Sequence, residues 1–207
     1  MALFKQDVPE DVAKRVPPGQ RLVTSWPVLH YGPIPEINPE TWDLRVFGEV
    51  ENPITLSYDE LKTLPNVKVG ADMHCVTGWT TLDNEWEGVS FRTIKELVRP
   101  TADAKWVIAH CEHGYTSNLS LQAMDDDDVL LAWANHGEPL TPEHGFPLRL
   151  VVPKRYAWKS AKWLRGLQFA KHNTRGFWEV RGYHIHADPW GEERYSYQEG
   201  PRAELEP

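Results

Sequence analysis

Hydrophobic and polar residues alternate over short stretches of this chain. Across residues 41–50, Trp42, Leu44 and Val46 alternate with polar neighbours and the run ends near Gly48, a pattern that predicts a β-strand. Similar short apolar or alternating runs predict strands at 67–74, 106–110, 129–133, 148–152 and 163–170.

Helix signals are few and short. Ser57 and Glu60 form a capping box that predicts a helix ending before Pro65, and Ser90 can cap a second helix over 91–98. Turn-forming residues predict loops over 78–85 and 112–118. Many short strands with a few short helices predict an α+β domain.

The length of 207 residues favours one domain with a substantial core. We expect that domain to cover residues 26–198. Residues 1–25 are polar and interrupted by proline and glycine, which predicts an N-terminal arm with a short helix at 10–15. Residues 199–207 are expected to form a frayed tail.

Composition and charge narrow the class of protein. The chain is 41% hydrophobic and 25% charged, which is typical of a soluble globular protein. Its formal net charge of -8 argues against nucleic-acid binding, which needs a basic surface. No segment approaches the roughly 20 apolar residues that span a bilayer, and no signal core opens the chain. Because two cysteines do not make a disulfide framework, we expect a cytoplasmic, reduced protein without a membrane span.

Residues 72–79, Asp-Met-His-Cys-Val-Thr-Gly-Trp, carry the most distinctive chemistry. They place Cys75 at the end of a predicted strand, beside His74 and before a Thr-Gly turn. A thiolate is a soft, strongly bonding metal ligand. Cysteine is also among the most buried residue types, and these eight residues alone favour a buried structural cysteine.

Three further motifs change that interpretation. They are Trp-Glu-Gly-Val at 86–89, His-Gly-Phe-Pro-Leu-Arg at 144–149 and Lys-Ser-Ala-Lys-Trp-Leu at 159–164. Together with residues 72–79, and in this order and spacing, they resemble the molybdopterin-binding domain of the sulfite oxidase family. The resemblance covers about residues 26–195. It implies a mixed α+β fold with mainly antiparallel sheets, a molybdenum–molybdopterin cofactor, and Cys75 as the protein ligand to molybdenum.

The resemblance also implies a set of cofactor-binding residues. They are His30, Tyr31, Cys75, Cys111, His144, Arg149, Ser160 and Lys162, with Glu112 as an alternative to Cys111. In this resemblance His144 and Arg149 match positions that contact the pterin cofactor, and Ser160 and Lys162 match contacts near its phosphate, for which arginine and lysine are suitable donors. Without the resemblance, Arg149 would be interpreted as part of a salt bridge beside a strand and Lys162 as a solvated strand end.

The implied reaction is two-electron oxygen-atom transfer on a small oxyanion or an S- or N-oxide. The residues expected to be catalytic or to line the substrate mouth are Cys75, Trp79, Tyr115, His113 and Trp158. Where sulfite-binding members carry arginines, this chain has Val28 and the sequence Val-Thr-Gly-Trp-Thr at 76–80, which is nearer to bacterial members that reduce sulfoxides. No C-x-x-C-H haem motif is present, so we expect a separate electron carrier.

Two other functions fit the same residues. One is a module that holds the cofactor or another ligand without turnover. The other is a zinc-binding hydrolase built on Cys75 and nearby histidines, and His184 and His186 are a further weak hint of a metal. No cysteine or histidine pair has the close spacing of a structural zinc site, so a molybdopterin oxidoreductase is the leading hypothesis.

Overall fold

The structure, a computed structural model, describes residues 9–201 and residue 203. Within these residues the chain forms two β-sheets and a few short helices, as predicted. The strands are β1 (Arg21–Leu22), β2 (Asp43–Gly48), β3 (Ile54–Ser57), β4 (Asn66–Cys75), β5 (Trp79–Ser90), β6 (Trp106–Cys111), β7 (Thr116–Ser120), β8 (Leu130–Asn135), β9 (Glu138–Pro139), β10 (Arg149–Val151) and β11 (Leu164–Ala170). The α-helices are α1 (Glu10–Ala13), α2 (Tyr58–Thr63), α3 (Phe91–Val98) and α4 (Leu121–Met124).

Both predicted helix caps are present. The Ser57 hydroxyl accepts a bond from the Glu60 amide (3.3 Å), and the Glu60 carboxylate accepts one from the Ser57 amide (2.8 Å). The Ser90 hydroxyl accepts a bond from the Arg92 amide at the start of α3. These side chains satisfy amide groups that have no partner inside a helix.

The two sheets are mainly antiparallel. The first has the order β1-β5-β8-β10, with β4 also paired to β5 and β9 paired to β8. The second has the order β3-β2-β11-β6-β7. Among the described strands, parallel pairing occurs between β1 and β5 and between β11 and β2.

Apolar side chains cover both faces of the first sheet. Leu131 and Leu150 belong to the main core, which also contains residues of the second sheet and α3. Leu130 and Val151 alternate with them and belong to a second cluster, because successive side chains of a strand point to opposite faces. This second cluster contains Cys75 at the end of β4, and it therefore marks the face of the sheet that carries the site.

The predicted loop over residues 78–85 is wrong, because β5 runs through it. These turn-forming residues instead lie at an irregularity in the pairing of β4 with β5. Asp83 has a left-handed φ of 55°, which aspartate tolerates better than most residues. Asn84 is 2% exposed; its side chain donates to the Ala71 carbonyl and accepts from the Trp26 indole. The partner strand shifts register between Ala71 and Met73 at the same place.

The predicted loop over residues 112–118 is also partly wrong. A 3-10 turn spans Glu112–Gly114, but β7 begins at Thr116. The polar side chain of Asn118 is buried and accepts bonds from the Lys159 ammonium and the Gly176 amide. The polar sequence therefore reflects buried hydrogen bonds rather than exposure to solvent.

Described residues of both predicted terminal segments contact the rest of the domain. Within the predicted arm, β1 pairs with β5, and the Gln20 side chain donates to the Cys75 carbonyl at 3.1 Å. In the predicted tail, Glu199 pairs with Arg175 at 2.5 Å. Residues 1–8, 202 and 204–207 lie outside the described part, so the domain boundaries stay predictions. None of the helices in the described residues is both long and apolar enough to cross a membrane.

Candidate active site

A cavity of about 340 Å³ lies where β4 ends and β5 begins. It is lined by nine of the ten residues predicted to form the site: His30, Tyr31, Cys75, Trp79, Tyr115, His144, Arg149, Ser160 and Lys162. His113 and Trp158, expected at the substrate mouth, line it as well. Motifs that are far apart in the sequence therefore meet in one cavity.

A larger groove of about 950 Å³ adjoins this cavity and shares Trp26 and His144 with it. The groove is more open and is lined by no cysteine, lysine or arginine among the described residues. The smaller cavity is therefore the better candidate for a cofactor site.

Cys75 is the last residue of β4 and is 8% exposed. Its Sγ lies 3.2 Å from the Thr77 hydroxyl. Gly78 has a φ of 91°, which favours glycine, and its amide donates to the Cys75 carbonyl in the turn that leads into β5. Burial raises the pKa of the thiol, partly offset by Thr77 and the charge of Arg194. Such a thiol loses its proton to solvent most readily when a metal ion binds the sulfur and stabilises the thiolate.

Arg149 is a buried cation that lines the same cavity and is 4% exposed. It donates to the carbonyls of His144 (3.0 Å) and Ser160 (2.9 Å), and its guanidinium faces the rings of Trp26 and Trp86. No carboxylate among the described residues pairs with it, so the salt bridge considered from the sequence does not form. Burial lowers its pKa to about 10.

Lys162 is the second cation of the cavity. Its ammonium donates to the carbonyls of Leu29 (2.8 Å) and Glu143 (2.7 Å) rather than extending into water, so it is not a solvated strand end. It likewise has no ion pair with any described carboxylate. Burial, and secondly the charge of Arg149, lowers its pKa to about 7. Arg149 and Lys162 have no counter-ion among the described residues, and the part of the cavity that they line is therefore suited to an anion.

Two buried nitrogen atoms beside the cavity have no hydrogen-bond partner in the described part of the chain: Nε2 of His144 and Nε1 of Trp79. The Nδ1 atom of His144 is satisfied by the Thr141 hydroxyl at 3.1 Å. Ser160 also lines the cavity, and its hydroxyl accepts a bond from the Val152 amide. Because unpaired buried polar atoms are costly, the two free nitrogens indicate a site for a polar ligand.

His30 and Tyr31 lie on a segment that crosses the outside of the cavity. The bond from Lys162 to the Leu29 carbonyl holds this segment in place. His30 bonds through Nδ1 to the Gly32 carbonyl, and Tyr31 is 60% exposed with its ring 4.5 Å from that of Phe177. Both are therefore wall residues rather than buried donors.

Tyr115 lines the cavity, but its hydroxyl is occupied. It donates to the Trp158 carbonyl at 2.8 Å, and burial raises its pKa well above the ordinary value. In this arrangement the hydroxyl holds Trp158 and has no second proton to give to a substrate.

Cys111 is the one predicted site residue that does not line the cavity; its side chain belongs to the main core. Its neighbours Glu112 and His113 do line it. His113 has a φ of 56°, which turns the backbone sharply at the mouth.

No group of three histidine, cysteine, aspartate or glutamate side chains that could hold a metal ion forms within residues 9–201 and 203. The two rings of the His184 and His186 pair are 5.9 Å apart, and Nδ1 of His184 accepts the His186 amide. The ligand set required by the zinc alternative is therefore not assembled in the described residues.

Sequence reasoning missed part of the cavity wall. Trp26, Trp178 and Tyr183 line it, yet no motif marked them. The last two fall in a stretch without regular strands, 177–195, where aromatic residues were the only signal.

The donors of the cavity fit the cofactor that the resemblance implied. A soft sulfur atom, two cations without an ion pair among the described residues, and two free nitrogen donors or acceptors belong to residues that line the same cavity. A metal, an anionic tail and a polar heterocycle would satisfy these groups respectively.

Comparison with known proteins supports the same identification. A family model described as "Oxidoreductase molybdopterin binding domain" matches residues 31–178. The chain is 50% identical over 188 residues to the uncharacterized oxidoreductase YuiH of Bacillus subtilis, covering 90% of this chain and 95% of that protein.

Two more distant similarities cover about half of the other protein. The chain is 28% identical over 159 residues to the protein-methionine-sulfoxide reductase catalytic subunit MsrP of Campylobacter jejuni, covering 69% of this chain and 53% of MsrP. The crystal structure of the sulfane dehydrogenase SoxCD from Paracoccus pantotrophus matches with a TM-score of 0.63 at 21% identity, covering 85% of this chain and 55% of that one. This likeness confirms the predicted fold.

Proposed function

The chain belongs to the family of oxidoreductase molybdopterin-binding domains, and from that membership we propose that it catalyses two-electron oxygen-atom transfer on a neutral S- or N-oxide, with Cys75 as the protein ligand to molybdenum. When bound, the molybdopterin cofactor supplies the metal centre at which an oxygen atom and two electrons are exchanged. The observation that carries the proposal is the convergence of Cys75 with two unpaired cations in one cavity.

Each residue of the cavity has a role in this proposal that follows from its position. Cys75 offers its sulfur at the end of β4. Arg149 and Lys162 bind the anionic tail, and Arg149 also fixes the carbonyls of the two segments it joins. His144 and Trp79 offer nitrogen atoms to polar edges of the ligand. Burial of most of these groups excludes water, which strengthens each polar contact.

The charge distribution favours a neutral substrate. Arg149 and Lys162 are the lysine and arginine side chains that line the cavity in the described residues, and the cofactor occupies both in this proposal. Met73, Val76, Thr77 and Trp79 line the cavity beside Cys75. Arg194, whose charge acts on the Cys75 thiol, donates to the Val76 carbonyl at 2.6 Å and does not line the cavity, so no further lining cation remains to hold an oxyanion such as sulfite. A neutral sulfoxide would take up two electrons and two protons and leave as sulfide and water.

A separate carrier supplies the electrons in this proposal, since the sequence has no haem motif. The name of the Campylobacter relative, a catalytic subunit of a methionine sulfoxide reductase, is in keeping with both the substrate class and a second component. The identity of that carrier and a cytoplasmic location stay predictions.

The test uses protein from a host that makes the cofactor. Molybdenum per chain is measured together with pterin fluorescence after denaturation. Turnover is then followed with a reduced viologen dye and methionine sulfoxide, and in the opposite direction with sulfite and ferricyanide. We expect about one metal per chain and activity with the sulfoxide. Metal with sulfite oxidation alone would refute the substrate class, and metal without turnover would favour a binding module.

Replacing Cys75 tests the ligand role. We expect Cys75→Ser to lose sulfoxide turnover while the thermal unfolding midpoint of the cofactor-free protein stays close to that of the parent. Unchanged turnover in this variant would show that the sulfur is not the ligand.

A further inference from the structure

A fully buried ion pair lies directly behind the cavity. The Lys159 ammonium is 2.6 Å from Oε1 of Glu179, and the two side chains are 1% and 0% exposed. Burying two charges carries a large desolvation cost, and an apolar pair of similar size often gives equal or greater stability. Fold stability is therefore a weak explanation for this pair, and its contacts indicate another.

Glu179 bonds to a residue of the cavity wall, and Lys159 anchors the turn that carries this residue. Oε1 of Glu179 accepts the indole N–H of Trp158 at 2.8 Å. Lys159 donates to the Asn118 carbonyl at 2.7 Å, which fixes the 3-10 turn Ala157–Lys159 to β7. That turn leads directly into Ser160, so the ion pair anchors the start of the segment that binds the cofactor in the proposed function.

Trp158 is held from several sides. Its carbonyl accepts the Tyr115 hydroxyl at 2.8 Å, while its indole donates to Glu179. The ring stacks on Tyr156 (5.5 Å between centroids) and meets the edge of Tyr183 (5.3 Å). A residue fixed by one hydrogen bond at its backbone, one at its indole and two ring contacts presents a rigid surface to the cavity that it lines.

The surroundings of Glu179 are fitted to its carboxylate. A Cβ at Gly176 would lie 2.6 Å from Oε2 of Glu179 and 2.7 Å from the Thr116 carbonyl, so this close approach requires glycine. Oε2 is itself buried without a partner among the described residues, a cost that an ordinary packing residue would not carry.

We propose that Glu179 is a positioning residue that, through Trp158, sets the width of the substrate mouth and so selects substrates by size. Glu179 follows directly after the last residue of the family match, which ends at 178. The inference rests on the proposed function, because it takes the cavity as the site of sulfoxide reduction.

The experiment compares the loaded parent enzyme with Trp158→Phe and Glu179→Gln. Trp158→Phe keeps an aromatic ring and leaves the ion pair intact, but it removes the indole N–H. Glu96→Gln, at an exposed position of α3, is the matched control for loss of a carboxylate. The readouts are kcat and KM for dimethyl sulfoxide and for methyl phenyl sulfoxide, with molybdenum and pterin per chain.

We expect the preference for the small sulfoxide, expressed as the ratio of the two kcat/KM values, to fall about fivefold in Trp158→Phe, the size expected for one hydrogen bond. It should fall less in Glu179→Gln, because the glutamine amide oxygen can still accept the indole N–H. The change should come from KM for the bulky substrate, and Trp158→Phe should keep its molybdenum. Glu96→Gln should match the parent.

Each outcome decides one question. If the parent turns over sulfoxides and Trp158→Phe keeps the parental ratio, the inference is overturned, even if Glu179→Gln does not fold. A parent that holds no molybdenum overturns the proposed function itself, and the positioning role with it. A fall in kcat for both substrates with an unchanged ratio would also refute selection by size.

Discussion

The pH dependence of stability in the cofactor-free protein tests the charge of Lys162 most directly. Its pKa falls from an ordinary value of 10.5 to about 7, chiefly through burial. Between these two values the unfolded chain binds a proton at this position and the folded chain does not. Stability therefore rises with pH across this window, by up to about 1.4 kcal/mol for each pH unit. Below pH 7 the cost of burying the charge is present in full.

The perturbation is Lys162→Met, which removes this titration and keeps a long apolar stem. Between pH 7 and 9, the unfolding free energy of the parent should gain up to about 3 kcal/mol relative to the variant. This is an upper size, because the ammonium keeps some contact with water and solvent screens it. Groups that titrate in both proteins, including Cys75, cancel in the difference.

The assay is urea unfolding of both cofactor-free proteins at pH 6, 7, 8 and 9, with Lys105→Met, at an exposed position, as the control. The difference between parent and Lys162→Met should change with pH, and the difference between parent and Lys105→Met should stay constant. Parallel curves for parent and Lys162→Met would falsify the claim that the cavity holds this ammonium away from water.

Three other changes have expected outcomes. Arg149→Lys should lower molybdenum per chain severalfold, because a single ammonium cannot reproduce the two guanidinium bonds to His144 and Ser160; equal metal content would contradict this. Cys111→Ala should retain molybdenum and lose about 1 kcal/mol of stability from the core in urea unfolding, and metal loss would instead revive its predicted cofactor contact. Ser57→Ala should cost about 1 kcal/mol through loss of the α2 cap, measured in the same way.

Much of the secondary structure could be predicted because the hydrophobic alternation and the helix-capping residues in the sequence match the surroundings of these residues in the fold. β2 alternates since one face meets the main core, and α2 and α3 begin at side chains that bond their own backbone. β5 and β7 were missed for the opposite reason. Asn84 and Asn118 look like loop residues, yet their amide groups bond Trp26 and Lys159 from distant parts of the chain. No local pattern contains that information.

The residues of the candidate site also differ in whether the sequence could predict them. Cys75, Arg149 and Lys162 were predicted because their motifs resemble those of a known family, whereas the residue types alone favoured a buried cysteine, a salt bridge and a solvated strand end. Trp178 and Tyr183 lie in no such motif, and an aromatic residue in an irregular stretch is usually a packing residue. The sequence therefore indicates the residues that we propose to bind the cofactor, whereas the shape of the proposed substrate mouth depends on the three-dimensional arrangement.

The difference between the charged part and the aromatic part of the cavity indicates which residues would determine substrate preference. The part of the cavity proposed to bind the cofactor is built from charged side chains bonded to backbone carbonyls. Arg149, for example, donates to the carbonyls of His144 and Ser160. The mouth is built from aromatic rings whose positions depend on other side chains, as Trp158 depends on Glu179 and Tyr115. A change at the mouth that leaves the Lys159–Glu179 pair intact can alter which oxide enters without disturbing the groups that bind the cofactor in the proposed function. We therefore expect members of this family with similar cofactor motifs to differ in substrate mainly through the segments around residues 157–159 and 176–183.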